Sequence, residues 1–327
     1  MVELQSVWGW QPALYLFLGG MGAGAFVFGA ILLLRDDTNN QKVVNVTFWS
    51  ATLCLIVGLL LLLSELIDPL RGMLLWQSFS NFSSWMTIGA WVVLSAVMVF
   101  AATALLTTGA LRDRIVGSSP RKTKGIRTAT KALAIVGIVC GIGVAIYTGI
   151  LLMWVPGIPL WGTFLLPCLF SISALDTGVA LVEVIALASQ RKSPLTGKAR
   201  ALLEKAVVIL VLGEGAVLAC FIGVMLGGNA VSAQGSASYS ATAVASIKLL
   251  LTGELAPFFW GLFVACGLAI PLVAAVAGLI GHKKAPGPAM ALGAVAALVG
   301  GATLRFVILL AGAHVDYVAD TVMRLIL

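Results

Sequence analysis

Long apolar runs separated by short polar segments dominate the chain. Residues 25–34 and 53–63 are apolar on every side, without the alternation of polar and apolar residues that a transmembrane β-strand shows. A helix needs roughly 20 apolar residues to cross a hydrocarbon layer about 30 Å thick. The pattern therefore predicts eight transmembrane helices, near residues 12–34, 43–66, 84–108, 132–153, 163–189, 205–227, 257–281 and 288–312.

Composition agrees with a membrane protein. Of the 327 residues, 60% are hydrophobic and 10% are charged, whereas about a quarter of the residues in a soluble domain are charged. We predict an all-α integral membrane fold in which residues 1–327 form one transmembrane domain. The expected arrangement is two four-helix bundles with the lipid bilayer as their surroundings.

The positive charges predict the orientation. An even number of spans places both termini on one side, and cytoplasmic loops are enriched in Lys and Arg. The loops after the first, third, fifth and seventh spans hold most of them, and the other side holds only Arg71, Lys248 and Arg324. We therefore expect both termini outside the cytoplasm of a bacterial or archaeal inner membrane. The basic residues on the predicted cytoplasmic side are Arg35, Lys42, Arg112, Arg114, Arg121, Lys122, Lys124, Arg127, Lys131, Arg191, Lys192, Lys198, Arg200, Lys205, Lys283 and Lys284.

Charge, cysteine and histidine exclude several functional classes. The net charge of +7 lies in short loops, so membrane topology explains it and no nucleic-acid partner is expected. The five cysteines are scattered singly, without the spacing of zinc or iron–sulfur ligands. The two histidines, His282 and His314, fall on opposite sides of the membrane, which argues against a bis-histidine haem. We expect no metal site, haem or iron–sulfur cluster in this protein.

Four ionisable residues fall inside the predicted spans. They are Asp176 and Glu183 in the fifth span, Glu214 in the sixth and Arg305 in the eighth. An isolated charge at the centre of a span costs about 2.5 to 3.5 kcal/mol on insertion scales. Either Arg305 neutralises a carboxylate and locks the bundle, or the group forms a proton or substrate path. Asp176 and Glu183 are seven residues apart and share one helix face, as a file of protonatable groups requires.

A second polar group is predicted at the outer ends of the first, second and fourth spans. It consists of Gln11, Tyr15, Glu65, Asp68 and Tyr147. Hydroxyls and carboxylates at this depth can hydrogen-bond the two oxygens of a quinone ring and exchange its protons. The alternative is that both tyrosines are ordinary interfacial residues.

Six stretches of the sequence resemble the NrfD/PsrC family of membrane subunits from polysulfide, nitrite, tetrathionate and related reductases. They follow the family order along nearly the whole chain. The stretches are WGWQPALYLFLGGMGAGAF (8–26), ELIDPLRGMLLWQSFSNFSSWMTIGAW (65–91), YTGILLMWVPGIPLW (147–161), LPCLFSISALDTGVALVE (166–183), PFFWGLFVACGLAIPL (257–272) and GGATLRFVILLAG (300–312).

The resemblance implies a subunit that binds menaquinone or ubiquinone near the extracytoplasmic face. It also implies electron exchange with a four-cluster, ferredoxin-like iron–sulfur subunit, which serves a molybdopterin catalytic subunit. The family tyrosine that opens the motif of the fourth span falls on Tyr147. The first span departs from the family pattern, because Pro12 and Tyr15 stand where an asparagine and a histidine occur.

The resemblance also predicts the side of the membrane on which the quinol reacts. With no redox centre crossing the bilayer, the quinol site is expected to lie close to the partner's nearest cluster, at the outer face. Tyr147 with Glu65 or Asp68 would handle the protons. The protein is not expected to hold the catalytic residues for the terminal substrate. Two other classes stay open, namely a secondary transporter and a passive anchor without quinone chemistry.

Overall fold

The structure is a computed structural model that describes residues 4–5, 8–35, 40–64, 84–109, 120–189, 195–227, 237–280 and 288–315. Within these residues, eight helices are long and apolar enough to cross a membrane, which confirms the predicted all-α membrane fold. The spans are α1 (Trp10–Arg35), α2 (Gln41–Ser64), α3 (Trp85–Thr107), α4 (Pro120–Met153), α5 (Leu165–Ser189), α6 (Gly197–Leu226), α8 (Phe258–Ala269 with Ile270–Ile280) and α9 (Pro288–Leu310). A shorter helix, α7 (Ala237–Leu251), precedes α8.

Helix α1 lies at the centre of the molecule and packs against α2, α4, α5 and α9. Its glycines permit this position. A Cβ atom on Gly24 would meet the backbone of Ala174, and one on Gly178 would meet the backbone of Gly24 and Ala25. Small residues of this kind let two helix backbones approach closely inside a membrane. Because α1 contacts helices of both halves of the sequence, the grouping into two four-helix bundles stays a prediction.

Two helices begin earlier than the hydrophobic pattern predicts. Helix α4 begins at Pro120 rather than near residue 132, and α6 begins at Gly197 rather than near residue 205. The additional turns are rich in basic residues, so the apolar run alone does not mark them. At α6 the start is fixed by a cap, since the Thr196 hydroxyl accepts a hydrogen bond from the Ala199 amide at 3.3 Å.

Backbone contacts join the two ends of the described chain. The Gln5 amide donates to the Gly312 carbonyl at 2.9 Å, and the Val315 amide donates to the Gly157 carbonyl at 3.0 Å. The fully buried Trp161 adds a hydrogen bond from Nε1 to the Ile308 carbonyl at 2.9 Å. We call this side of the bundle the terminal end. The other side, where α1 ends at Arg35 and where α6 begins, is called the opposite end.

The last spans contain an irregular segment. Residues Phe258–Ala269 of α8 are π-helical, and the α-helical part continues from Ile270. At this segment Gly267 faces Gly300 of α9, where a Cβ on either glycine would meet the other backbone. Helix α7 presents Tyr239, Ala243, Ile247 and Leu250 to the protein interior. Their spacing is that of one helix face.

Candidate functional site

Tyr15 and Tyr147 lie on neighbouring helices at the terminal end. Helices α1 and α4 are antiparallel, because Gly19 of α1 lies near Thr148 whereas Gly141 lies against Val27 and the Ala23 carbonyl. This register puts Tyr147 level with the turn that follows Tyr15, so the two side chains differ in depth by about one helical turn, or 5.4 Å. Both tyrosines are half-buried.

Gly89 provides the space that Tyr147 occupies. A Cβ on Gly89 would coincide with the phenol ring and the hydroxyl of Tyr147, so the hydroxyl end of the ring lies against the backbone of α3. No hydrogen bond joins the Tyr147 hydroxyl to the described part of the protein. Trp85 and Trp154 stack beyond the ring, towards the ends of the same two helices, with centroids 5.5 Å apart. The phenol is thus packed against α3, and its hydroxyl has no hydrogen-bond partner among the described residues.

The other predicted members of this polar group are only partly described. Gln11 is half-buried in the first turn of α1, four residues before Tyr15 and on the same helix face. Tyr15 packs against α2, since its carbonyl lies 3.5 Å from the position of a Cβ on Gly58. Glu65 and Asp68 lie outside the described residues. The structure therefore brings together Gln11, Tyr15 and Tyr147 at one end of the bundle.

Arg305 lies at the centre of the protein and is completely buried. Its Nη1 donates to Ser173 Oγ at 2.6 Å and to the Gly301 carbonyl at 2.8 Å, and its Nη2 donates to the Phe170 carbonyl at 3.3 Å. The guanidinium also lies over the Phe170 ring, 5.3 Å from the centroid. Its hydrogen bonds thus go to a hydroxyl and to backbone carbonyls.

Two buried carboxylates face this arginine. Asp176 and Glu214 are each 2% exposed, and both interact electrostatically with Arg305. Ser173 Oγ, which accepts the hydrogen bond from Arg305, also lies close to Glu214. We call Ser173, Asp176, Glu214 and Arg305 the central cluster.

Three polar atoms of the central cluster have no hydrogen-bond partner in the described protein. They are Asp176 Oδ1, Glu214 Oε1 and Arg305 Nε. Buried polar atoms without a partner are rare, and each one calls for a reason such as a mobile proton or an unassigned ligand. Both interpretations of the group, a lock that neutralises charge and a proton or substrate path, therefore stay predictions.

Glu183 lies on the same face of α5 as Asp176, roughly 10 Å closer to the opposite end. It is 5% exposed and interacts electrostatically with Glu204 and Arg200 of α6. Arg200 Nε donates to Glu204 Oε1 at 2.7 Å, and both side chains are buried. The predicted file of Asp176 and Glu183 therefore continues towards the opposite end through a buried ion pair.

Sequence reasoning missed three members of these groups. Ser173 escaped notice because a serine is tolerated in any apolar span, and only the position of Arg305 reveals its role. The hydrophobic pattern predicts that α6 begins near residue 205, and it therefore puts Arg200 and Glu204 in a loop. Their spacing of four residues, which puts opposite charges on one helix face, was the available signal.

The described residues contain no group of three or more His, Cys, Asp or Glu side chains arranged to hold a metal ion. The five cysteines are unpaired thiols. His314 is exposed at the terminal end, and His282 lies outside the described residues.

Comparison with known proteins assigns the family. The family model described as polysulphide reductase, NrfD, matches residues 3–316. The C subunit of polysulfide reductase from Wolinella succinogenes is 31% identical over 320 residues, which cover 94% of each protein. Protein NrfD of Escherichia coli is 27% identical over 321 residues, which cover 94% of the present sequence and 95% of that protein. The match extends over the helices that carry both tyrosines and the central cluster, and the chain belongs to the NrfD family of membrane proteins.

Proposed function

We propose that this protein is the quinone-binding membrane subunit of a respiratory oxidoreductase complex. Family membership supports the general role, that of a membrane subunit of such a complex. The quinone is menaquinone or ubiquinone and is a substrate held at the terminal end. The electrons pass to or from a four-cluster iron–sulfur subunit docked on that end, and through it to a molybdopterin catalytic subunit.

The observation that carries the proposal is that Tyr15 and Tyr147 lie on neighbouring antiparallel helices, about one helical turn apart in depth. A quinone ring has two oxygens on opposite edges, so two hydroxyls on neighbouring helices suit its recognition. The Tyr147 ring packs on Gly89, and its hydroxyl has no hydrogen bond to any residue that the structure describes. In this proposal the Tyr147 hydroxyl hydrogen-bonds one quinone oxygen, and Gln11 and Tyr15 contact the ring from α1. Glu65 or Asp68 accepts or supplies the protons.

The central cluster and Glu183 form the second part of the proposal, a proton path towards the opposite end. Asp176, Glu214 and Arg305 keep unpartnered polar atoms at mid-membrane, and Glu183 extends the acidic file. With both termini outside the cytoplasm, as the distribution of positive charge indicates, the opposite end faces the cytoplasm. Proton movement along this path during quinol oxidation would make turnover electrogenic.

The experiment that tests the quinone site uses the purified complex with its partner subunits. Tyr147→Phe removes one hydroxyl and keeps the ring that packs on Gly89, and it is expected to lower quinol-dependent turnover by about a hundredfold. Tyr239→Phe is the matched control, because it removes a hydroxyl from another helix near the terminal end. Glu65→Gln is expected to lower turnover as well. If Tyr147→Phe and Glu65→Gln both keep full turnover in an intact complex, the site assignment is wrong.

A transporter or a passive anchor predicts other results. A transporter would move its solute in vesicles without the partner subunits. A passive anchor would support assembly of the complex with no response to quinol in any variant. Quinol-dependent reduction of the iron–sulfur clusters in the wild-type complex contradicts both alternatives.

A further inference from the structure

A small cavity is lined by two acidic side chains, Glu183 of α5 and Glu204 of α6. Its volume is about 10 Å³, which is room for roughly one water molecule. The other lining residues include Pro271 of α8 and Gly293 and Ala294 of α9. Apart from the two carboxylates, the lining residues are apolar.

Glu183 is the side chain that makes the cavity unusual. It is 5% exposed, it faces the cavity, and the described protein offers it neither a hydrogen bond nor an ion pair. A water in a buried site needs two to four polar partners, and the oxygens of Glu183 and Glu204 supply them. The cavity therefore has the size and the lining of a one-water site between two acids.

Gly278 of α8 lets Glu204 reach this position. A Cβ on Gly278 would collide with the carboxyl group of Glu204, so any larger residue there would displace the carboxylate. Arg200 holds the same carboxylate from the α6 side at 2.7 Å. Arg200 and Glu204 occupy the first two turns of α6, where the span meets the opposite end of the bundle.

We propose that this cavity is a water site that connects Glu183 to Glu204, and that the Arg200–Glu204 pair is the mouth of the acidic path at the opposite end. A proton passes from one carboxyl group to the water, which releases a different proton to the other carboxylate. No net proton is gained or lost by the water. The proposal rests on the proton path of the proposed function, and it adds the site at which that path meets the aqueous phase.

The water itself is tested without any quinone chemistry. Brief X-ray irradiation of water produces hydroxyl radicals that oxidise adjacent thioethers, and Met290 lines the cavity. Met290 is 6% exposed and Met21 of α1 is 7% exposed, so Met21 is a matched control away from the cavity. In the intact complex we expect Met290 to be oxidised faster than Met21. Ala294→Val, which fills the cavity, is expected to slow Met290 oxidation to the rate of Met21; equal rates in the wild-type protein would overturn the water site.

The mouth is tested in vesicles that contain the whole complex. Glu204→Gln and Gly278→Ala are expected to lower the membrane potential generated per quinol oxidised by about tenfold or more, because a positioned proton-transfer group contributes factors of this size. Glu204→Asp, which keeps a carboxyl group, is expected to restore part of the potential. Gly215→Ala of α6, whose Cβ has no neighbour within 4 Å, is the control for added bulk.

The outcomes separate this proposal from the proposed function. A wild-type potential in Glu204→Gln overturns the mouth while the quinone site stands. Wild-type turnover without any potential overturns the path and its mouth together. A wild-type complex that does not respond to quinol overturns the proposed function, and the Met290 measurement then still decides whether the cavity holds water.

Discussion

Arg305 interacts electrostatically with two buried carboxylates, and its replacement tests how far this arrangement stabilises the protein. Arg305→Gln leaves Asp176 and Glu214 without their cationic neighbour at mid-membrane. Breaking a buried charge arrangement by removing one partner costs about 3 to 5 kcal/mol, so we expect a lower midpoint of thermal unfolding in detergent. Adding Glu214→Gln to Arg305→Gln removes one uncompensated charge and is expected to recover part of the loss. A single variant as stable as the wild-type protein would contradict this account.

Gly89 controls the position of Tyr147. Gly89→Ala pushes the phenol ring away from α3, because the new methyl group would occupy the place of the ring. We expect quinol-dependent turnover to fall at least as far as in Tyr147→Phe, by about a hundredfold. Gly143→Ala on α4 is the matched control, since its Cβ would meet Val92 at an ordinary 3.6 Å. Equal turnover in Gly89→Ala and Gly143→Ala would show that the Tyr147 ring position is unimportant.

The sequence predicts some residues of these sites better than others. Arg305, Asp176 and Glu214 are recognisable because charges are rare in spans and need partners. Ser173 and Gly89 are not, because small residues occur throughout membrane helices. Their importance follows from the side chain that another helix places beside them, which a single sequence does not contain.

Among the helices, the contact between α1 and α5 depends on glycine at the crossing. Gly178→Ala places a methyl group against the backbone of Gly24 and Ala25, and backbone atoms cannot rotate away. Overpacking of this kind costs about 1 to 3 kcal/mol, so we expect a lower unfolding midpoint in detergent. The same change at Gly215, where a Cβ meets no atom within 4 Å, is expected to leave stability unchanged or raise it by up to about 1 kcal/mol. Equal midpoints for both variants would contradict the crossing described here.

The predicted helices agree with the structure where an apolar run defines both ends, as in α1, α3 and α9. The predicted bounds are wrong where a helix begins with turns that are rich in basic residues, as α4 and α6 do. The early turns of α4 and α6 are too basic for a hydropathy criterion, although Thr196 is a typical cap residue. Because the predicted start of α6 lies after Arg200 and Glu204, the hydrophobic pattern does not place this pair in a helix. The sequence therefore predicts only part of the proposed acidic path.

For the whole molecule, the direction of the proposed proton movement depends on the orientation of the protein in the membrane. Lys198 at the opposite end and His314 at the terminal end are both exposed, and the five native cysteines all lie within spans. On spheroplasts, whose cytoplasmic membrane is intact, a membrane-impermeant maleimide is expected to label His314→Cys and not Lys198→Cys. Permeabilised cells are expected to show labelling of both. Labelling of Lys198→Cys alone before permeabilisation would show that the protein has the opposite orientation.

The central claim is that a quinone binds at the terminal end between α1, α2 and α4, beside the Tyr147 ring that packs on Gly89 of α3. Photoaffinity labelling with an azidoquinone tests it most directly. The labelled complex is digested, and the modified peptides are identified by mass spectrometry. The account predicts modified residues near Tyr15, Gly89 and Tyr147, with labelling suppressed by excess unmodified quinol. Labelling confined to the opposite end of the bundle, or labelling near the tyrosines that excess quinol does not reduce, would contradict it.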